Sequence, residues 1–143
     1  MESNVLKNPQ GAPGAAEKQM TWLKKTLQRA DSHDIRHRIV CMHHPICLTG
    51  VNEKTSYFNT SSELRAELLE LFHRHNVTAV FSGHCHRNIN VNDDGLELVT
   101  TSSCGKALGK DPLGFRIVKV LADRIEHEYF GFDQMPSSVQ MHD

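Results

Sequence analysis

Two apolar runs constrain this chain most, because both stop on histidines. Ile39-Val40-Cys41-Met42 runs into His43-His44-Pro45, and Val77–Phe81 runs through Ser82-Gly83 into His84-Cys85-His86. Their valine, isoleucine and phenylalanine content favours strands. Pro45 ends the first run because it has no ladder donor, and Gly83 permits a sharp turn after the second.

Each run follows a stretch of helical period. In residues 15–33, Ala16, Met20, Leu23 and Leu27 fall on one face, with Lys24, Lys25 and Gln28 opposite. Trp22 is expected to cover the edge of that stripe. Residues 62–76 place Leu64, Leu68, Leu71 and Phe72 together, with Thr60 or Ser61 as the cap and Asn76 at the C-terminal end. Helix, strand, helix, strand is the order of an α/β layer. If the two strands are neighbours, both histidine pairs reach the carboxyl edge of one sheet, where α/β proteins bind ligands.

The remainder adds strands. Ile89 and Val91 alternate against Leu96 and Leu98 across Asp94-Gly95, a hairpin signal. Ile117, Val118 and Val120, then Ile125, Tyr129 and Phe130, suggest two more strands around Ala122-Asp123. Residues 8–14 hold two prolines and two glycines and read as a loop. The polar segment 46–60 is long enough to expect function or mobility, and Leu48–Asn59 is expected to line a substrate side. Glu2–Leu6 reads as the interior end of a strand. One domain over 1–132 with a flexible tail over 133–143 follows.

Sixteen Lys+Arg against seventeen Asp+Glu, a net charge of −1, give no electrostatic case for nucleic acid or an anionic membrane. No apolar run exceeds four residues, far short of the roughly 20 of a membrane span. The four cysteines form no C-x-x-C pair and the first residues carry no secretory pattern, so a cytoplasmic location with reduced thiols is the expectation. A structural zinc site from Cys41, His43, Cys47 and Cys85 lacks the paired spacing such sites use.

Histidine, by contrast, is abundant, at ten residues. His33, His37, His73, His75, His127 and His142 read as ordinary structural or surface residues. His84 and His86, two apart, would share a side in an extended chain and suit two adjacent metals. Zinc, iron and manganese all accept imidazole, so the ligands alone do not select among them.

These residues resemble a known family. V-C-M-H at 40–43 and G-H-C-H at 83–86 are similar to the last two blocks, V-x-x-H and G-H-x-H, of the calcineurin-like metallophosphoesterases. The segments QMTWLKKTL, FNTSSELRAELLELFHRHNVTAVFSGHCHRN and KDPLGFRIV resemble, more narrowly, a serine/threonine phosphatase-like group within it. The likeness runs from about Ser3 to Phe132. It implies the C-terminal half of a four-layer α/β/β/α sandwich with a dinuclear centre of divalent or mixed-valence Mn, Fe or Zn. His43 and His84 would bind one ion and His86 the other. His44, which matches no ligand position, would be outer-shell or substrate-facing, and Arg87 and Asn88 would orient ligands or phosphate. The implied reaction is hydrolysis of a phosphorylated protein or small phosphoester by a hydroxide held between two ions.

The family's other blocks, D-x-H, G-D-x-x-D and G-N-H-D/E, do not occur here in their strand-end setting. Asp31-Ser32-His33 spells the first but closes a helix. Three histidines would then leave one ion two ligands and the other one, with no bridging carboxylate. The expectation is a chain inactive alone, partnered by a missing N-terminal half or by itself. A catalytically dead binding module or metal-binding fragment is the alternative.

Overall fold

The computed structural model describes residues 1–141; His142 therefore lies outside the described residues. Strand β1 (Ile39–Cys41) pairs in parallel with β2 (Ala79–Ser82), and β2 in parallel with β4 (Leu96–Thr100). Strand β3 (Ile89–Asp93) closes the sheet antiparallel to β4, giving the order β1-β2-β4-β3. The β3–β4 turn has positive φ at both Asp94 (46°) and Gly95 (92°), the backbone that twisted two-residue hairpins require.

Helix α2 (Ala15–Asp31) and helix α3 (Ser62–Arg74) share one core with this sheet. Leu23 and Leu27 from α2, and Leu68, Leu71 and Phe72 from α3, cluster with Val40, Val80, Leu96 and Leu98. Each such buried side chain contributes roughly 1.5–3 kcal/mol of hydrophobic free energy. Ser61 caps α3 by accepting a hydrogen bond from Leu64 N–H. At the other end Asn76 takes φ 49°, and Val77 N–H reaches back to Phe72 C=O at 2.9 Å. That is the αL stop expected from the asparagine. Trp22 does not cover the stripe: it is 53% exposed. Its position on the helix lies one step beyond the Leu23–Leu27 seam, where it lines an open groove beside Lys18 and Gln19.

The hairpin of β5 (Gly114–Val120) and β6 (Ile125–Gly131) lies against another part of the sheet. Phe81 meets the His127 ring edge-on at 5.5 Å, and His127 pairs with Glu97 at 3.1 Å. An open groove remains beside it, lined by Ile39, Cys41, Phe81, Cys104, Phe115 and Val118.

The N-terminal expectation fails. Ser3–Lys7 is a short helix, α1, whose N-cap Glu2 accepts from Asn4 N–H at 2.7 Å. Local side-chain-to-backbone bonding by such residues competes with an extended chain.

Candidate metal centre

The strand ends stay zipped beyond the strands themselves. Met42 N–H donates to Phe81 C=O and Gly83 N–H to His43 C=O, both at 3.0 Å. This pairing brings the two histidine blocks together at the carboxyl ends of β1 and β2. His43 Nε2 and His84 Nδ1 lie 3.0 Å apart, and the His44 and His84 ring centroids 4.3 Å apart. One ligand atom from each of His43, His44 and His84 falls within 4.8 Å of the others. Among the described residues no carboxylate or thiol joins this group.

His84 and His86 do not share a side of an extended chain. Both have positive φ, 65° and 51°, and Cys85 N–H turns back to Gly83 C=O at 2.7 Å. Histidine is among the residues that enter this region, at a cost near 1–2 kcal/mol each. The segment thus curls, and His86 stands outside the cluster, its buried Nδ1 without a hydrogen-bond partner.

His44 is buried, and Ser3 holds it. Ser3 Oγ accepts from His44 N–H at 2.8 Å and pairs with His44 Nδ1 at 3.0 Å. Burial, then the charges of His84, Lys7 and His43, push the His44 imidazolium down to about 4. Burial, then His43, also lowers His84. Both rings are thereby kept neutral near pH 7, the state in which imidazole binds metal.

The 46–60 segment covers this cluster. Tyr57 and Phe58 place their ring centroids 5.0 and 5.8 Å from that of His84. The segment is tied down despite its irregular sequence. Buried Arg65 of α3 donates to the carbonyls of Ile46 (3.1 Å), Val51 (3.0 Å), Glu53 (2.6 Å) and Thr60 (3.0 Å). Glu53 in turn accepts from Leu48 N–H, Thr49 and Asn59. Lys7 donates to Tyr57 C=O, and Lys7, Asn8, His44 and Tyr57 line an open groove of about 410 Å³.

The other expected site residues turn elsewhere. Arg87 donates to Leu108 C=O at 3.3 Å. Asn88 N–H donates to Asp111 at 2.6 Å, while its Oδ1 accepts from Ser102 N–H and Arg116. Both tie the β4–β5 connection to the strand end. Asp31 lies near the opposite ends of the strands, on His75 Nδ1 at 2.6 Å and Arg38. Cys85 is buried with its thiol toward Phe58 C=O. Ser3, Lys7 and Arg65 had no place in the sequence reading. For Arg65 a signal existed: its spacing of three from Leu68 and seven from Phe72 puts a cation inside the apolar stripe.

A two-ion centre is not completed by these residues. Three imidazoles gather around one position, and among the described residues no second group of three donors forms around His86.

No family model matches the chain. A solved structure titled "GAP50 the anchor in the inner membrane complex of Plasmodium" superposes with a TM-score of 0.71. It covers 92% of this chain and 43% of the other at 22% identity, which establishes the shared fold. In sequence and fold the chain is similar to the C-terminal half of a calcineurin-like phosphoesterase. Its relatives include the serine/threonine-protein phosphatase CPPED1 of Rattus norvegicus, 36% identical over 135 residues, and that of Danio rerio, 38% identical over 135 residues. CPPED1 of Homo sapiens is 36% identical over 136 residues. The matches cover 94% of this chain but only 43% to 44% of the relatives, so the chain spans less than half their length.

Proposed function

We propose that this chain supplies the histidine side of a metal-dependent phosphoester hydrolase site, acting on phosphorylated serine or threonine in proteins, and is inactive by itself. One observation carries the reading: imidazoles converge at adjacent parallel strand ends, with no carboxylate among them in the described residues. Kinship with named phosphatases supports the reaction class. Divalent ions at such a site polarise phosphoryl oxygens and activate water. Imidazoles alone neither bridge two ions nor offset their charge, which supports inactivity in isolation.

The chain's own residues suit an anionic substrate. Lys7 places a cation beside His44, and Tyr57 offers an exposed ring at the groove mouth. The complementing half would cover the open groove beside β1, an apolar surface of the kind that marks association sites. The same groove favours the second reading, a binding module without catalysis.

A phosphopeptide hydrolysis assay on the 143-residue chain, across a Mn, Zn and Fe titration, tests the first reading. Baseline turnover is expected. Turnover matching an intact relative, abolished by His84→Gly, would refute inactivity. A defined dimer or complex in size-exclusion chromatography, with no activity restored by the other half of a relative, would favour the binding module.

A further inference from the structure

The curled Gly83–His86 segment has a consequence for how many ions this chain holds. We infer that it binds a single divalent transition-metal ion through three imidazoles, His43 Nε2, His84 Nδ1 and His44 Nε2. His86 is left out. This goes beyond the hydrolase reading, which assigns His44 no ligand role, and departs from the family resemblance, which gives His86 an ion of its own.

The argument starts from distance. Zinc–nitrogen bonds of 2.0–2.1 Å in a tetrahedral site set ligand atoms about 3.3 Å apart. His43 Nε2 and His84 Nδ1 stand at 3.0 Å, so an ion replaces their mutual hydrogen bond with little movement. A ligand atom of the third ring lies within 4.8 Å of the others, and a closure of at most about 1.5 Å brings it to that spacing. Three protein nitrogens with a fourth position open is a recurring zinc arrangement.

His44 also has the outer partner that ligating histidines use. Metal-bound imidazoles donate their other ring N–H to a fixed acceptor, which sets tautomer and orientation. Ser3 Oγ stands 3.0 Å from His44 Nδ1. Donation from Nδ1–H to this oxygen leaves the Nε2 lone pair for the ion. Ser3 is fully buried, and its Oγ is fixed further by His44 N–H at 2.8 Å. The contact therefore spans two segments 41 residues apart and is built from α1, not from either histidine block. Among the described residues, no group of three or more donors includes His86.

The test is calorimetric titration of the full chain with ZnCl2, together with the visible spectrum of the Co(II) form. One ion per chain is expected, with His43→Ala, His44→Ala and His84→Gly each weakening binding at least about tenfold. Ser3→Ala is expected to weaken it about 10- to 100-fold, as loss of an outer partner does. His86→Gly should bind within about twofold of wild type by the same reasoning. Glycine is used at 84 and 86 because φ is positive there. Histidine ring nitrogen shifts in the wild-type chain, read by NMR on adding zinc, need no variant and should move for His43, His44 and His84 only.

Two bound ions, a neutral His44→Ala, a His86→Gly loss equal to that of His44→Ala, or no zinc binding by wild type would each overturn the inference. The first three outcomes leave the hydrolase reading standing, because that reading is decided by turnover and this one by stoichiometry and ligand identity.

Discussion

Replacing Arg65 with methionine keeps the aliphatic stem and removes the guanidinium. The carbonyls of Val51, Glu53 and Thr60 then lose this donor, while that of Ile46 keeps the Thr60 hydroxyl at 2.9 Å; the Thr60 carbonyl lies in a buried contact with no direct route to water. Stranding a buried acceptor costs about 1–3 kcal/mol, and the Thr60 carbonyl is the one left so. The carbonyls of Val51 and Glu53 sit in part-buried contacts and recover water at small cost. Against this, wild type desolvates a guanidinium that has no carboxylate among its hydrogen-bond partners, a penalty of several kcal/mol that methionine removes. Losing four charge-assisted hydrogen bonds while the Thr60 acceptor stays buried outweighs that relief, and the net expectation is a loss near about 2 kcal/mol. Urea unfolding measures it. Limited trypsin cleavage at exposed Lys54 measures the local effect, which should exceed that of Leu68→Ala, a core change of about 2–5 kcal/mol that leaves the clamp in place. A loss under about 1 kcal/mol, or cleavage at Lys54 no faster than in Leu68→Ala, would refute the view that Arg65 holds this segment.

Further expectations concern the same segment and its surroundings. Burial raises the Glu53 carboxyl, but donors from Asn59, Thr49 and Leu48 outweigh it and hold the group below its ordinary 4.5. A depressed folded pKa contributes stability above 4.5 that is lost as pH falls through the folded value. The stability gap between wild type and Glu53→Gln, followed by urea midpoints, should therefore shrink below pH 4.5 and stay flat above pH 6. Gly114→Ala would set a Cβ 1.9 Å from Phe130 C=O, so near-ultraviolet circular dichroism should report loss of β5–β6 packing. Ser61→Ala removes the α3 cap and should cost about 1 kcal/mol in thermal unfolding.

The strand–histidine blocks were readable because glycine and proline punctuate them and because apolar runs of that length have few alternatives. The α3 stop was readable for the same reason, since asparagine tolerates the backbone that ends a helix. Arg65 was hidden by habit: a cation in a helix is read as solvated, though its spacing placed it in the stripe. Ser3 was beyond reach, because its partner lies 41 residues away and only the folded chain joins them. The same distance hid α1, whose apolar Val5-Leu6 pair suits a strand as well as a helix. The curl at His84 and His86 followed from turn energetics that an i, i+2 rule for extended chains does not contain.

The groove beside β1 carries its own chemical reporters. Cys41 and Cys104 line it and are exposed, whereas Cys47 and Cys85 are buried. Burial raises the thiols of the buried pair, Cys47 to about 11, and thiolate is the species that alkylates. A maleimide at neutral pH should therefore mark two positions, both on the open face. Mass spectrometry of the labelled chain would read whether that face is covered, by a second copy or by the other half of the sandwich, without any engineered residue. The same two thiols make reductant a requirement during purification, since intermolecular disulfides formed there would fasten open faces to each other.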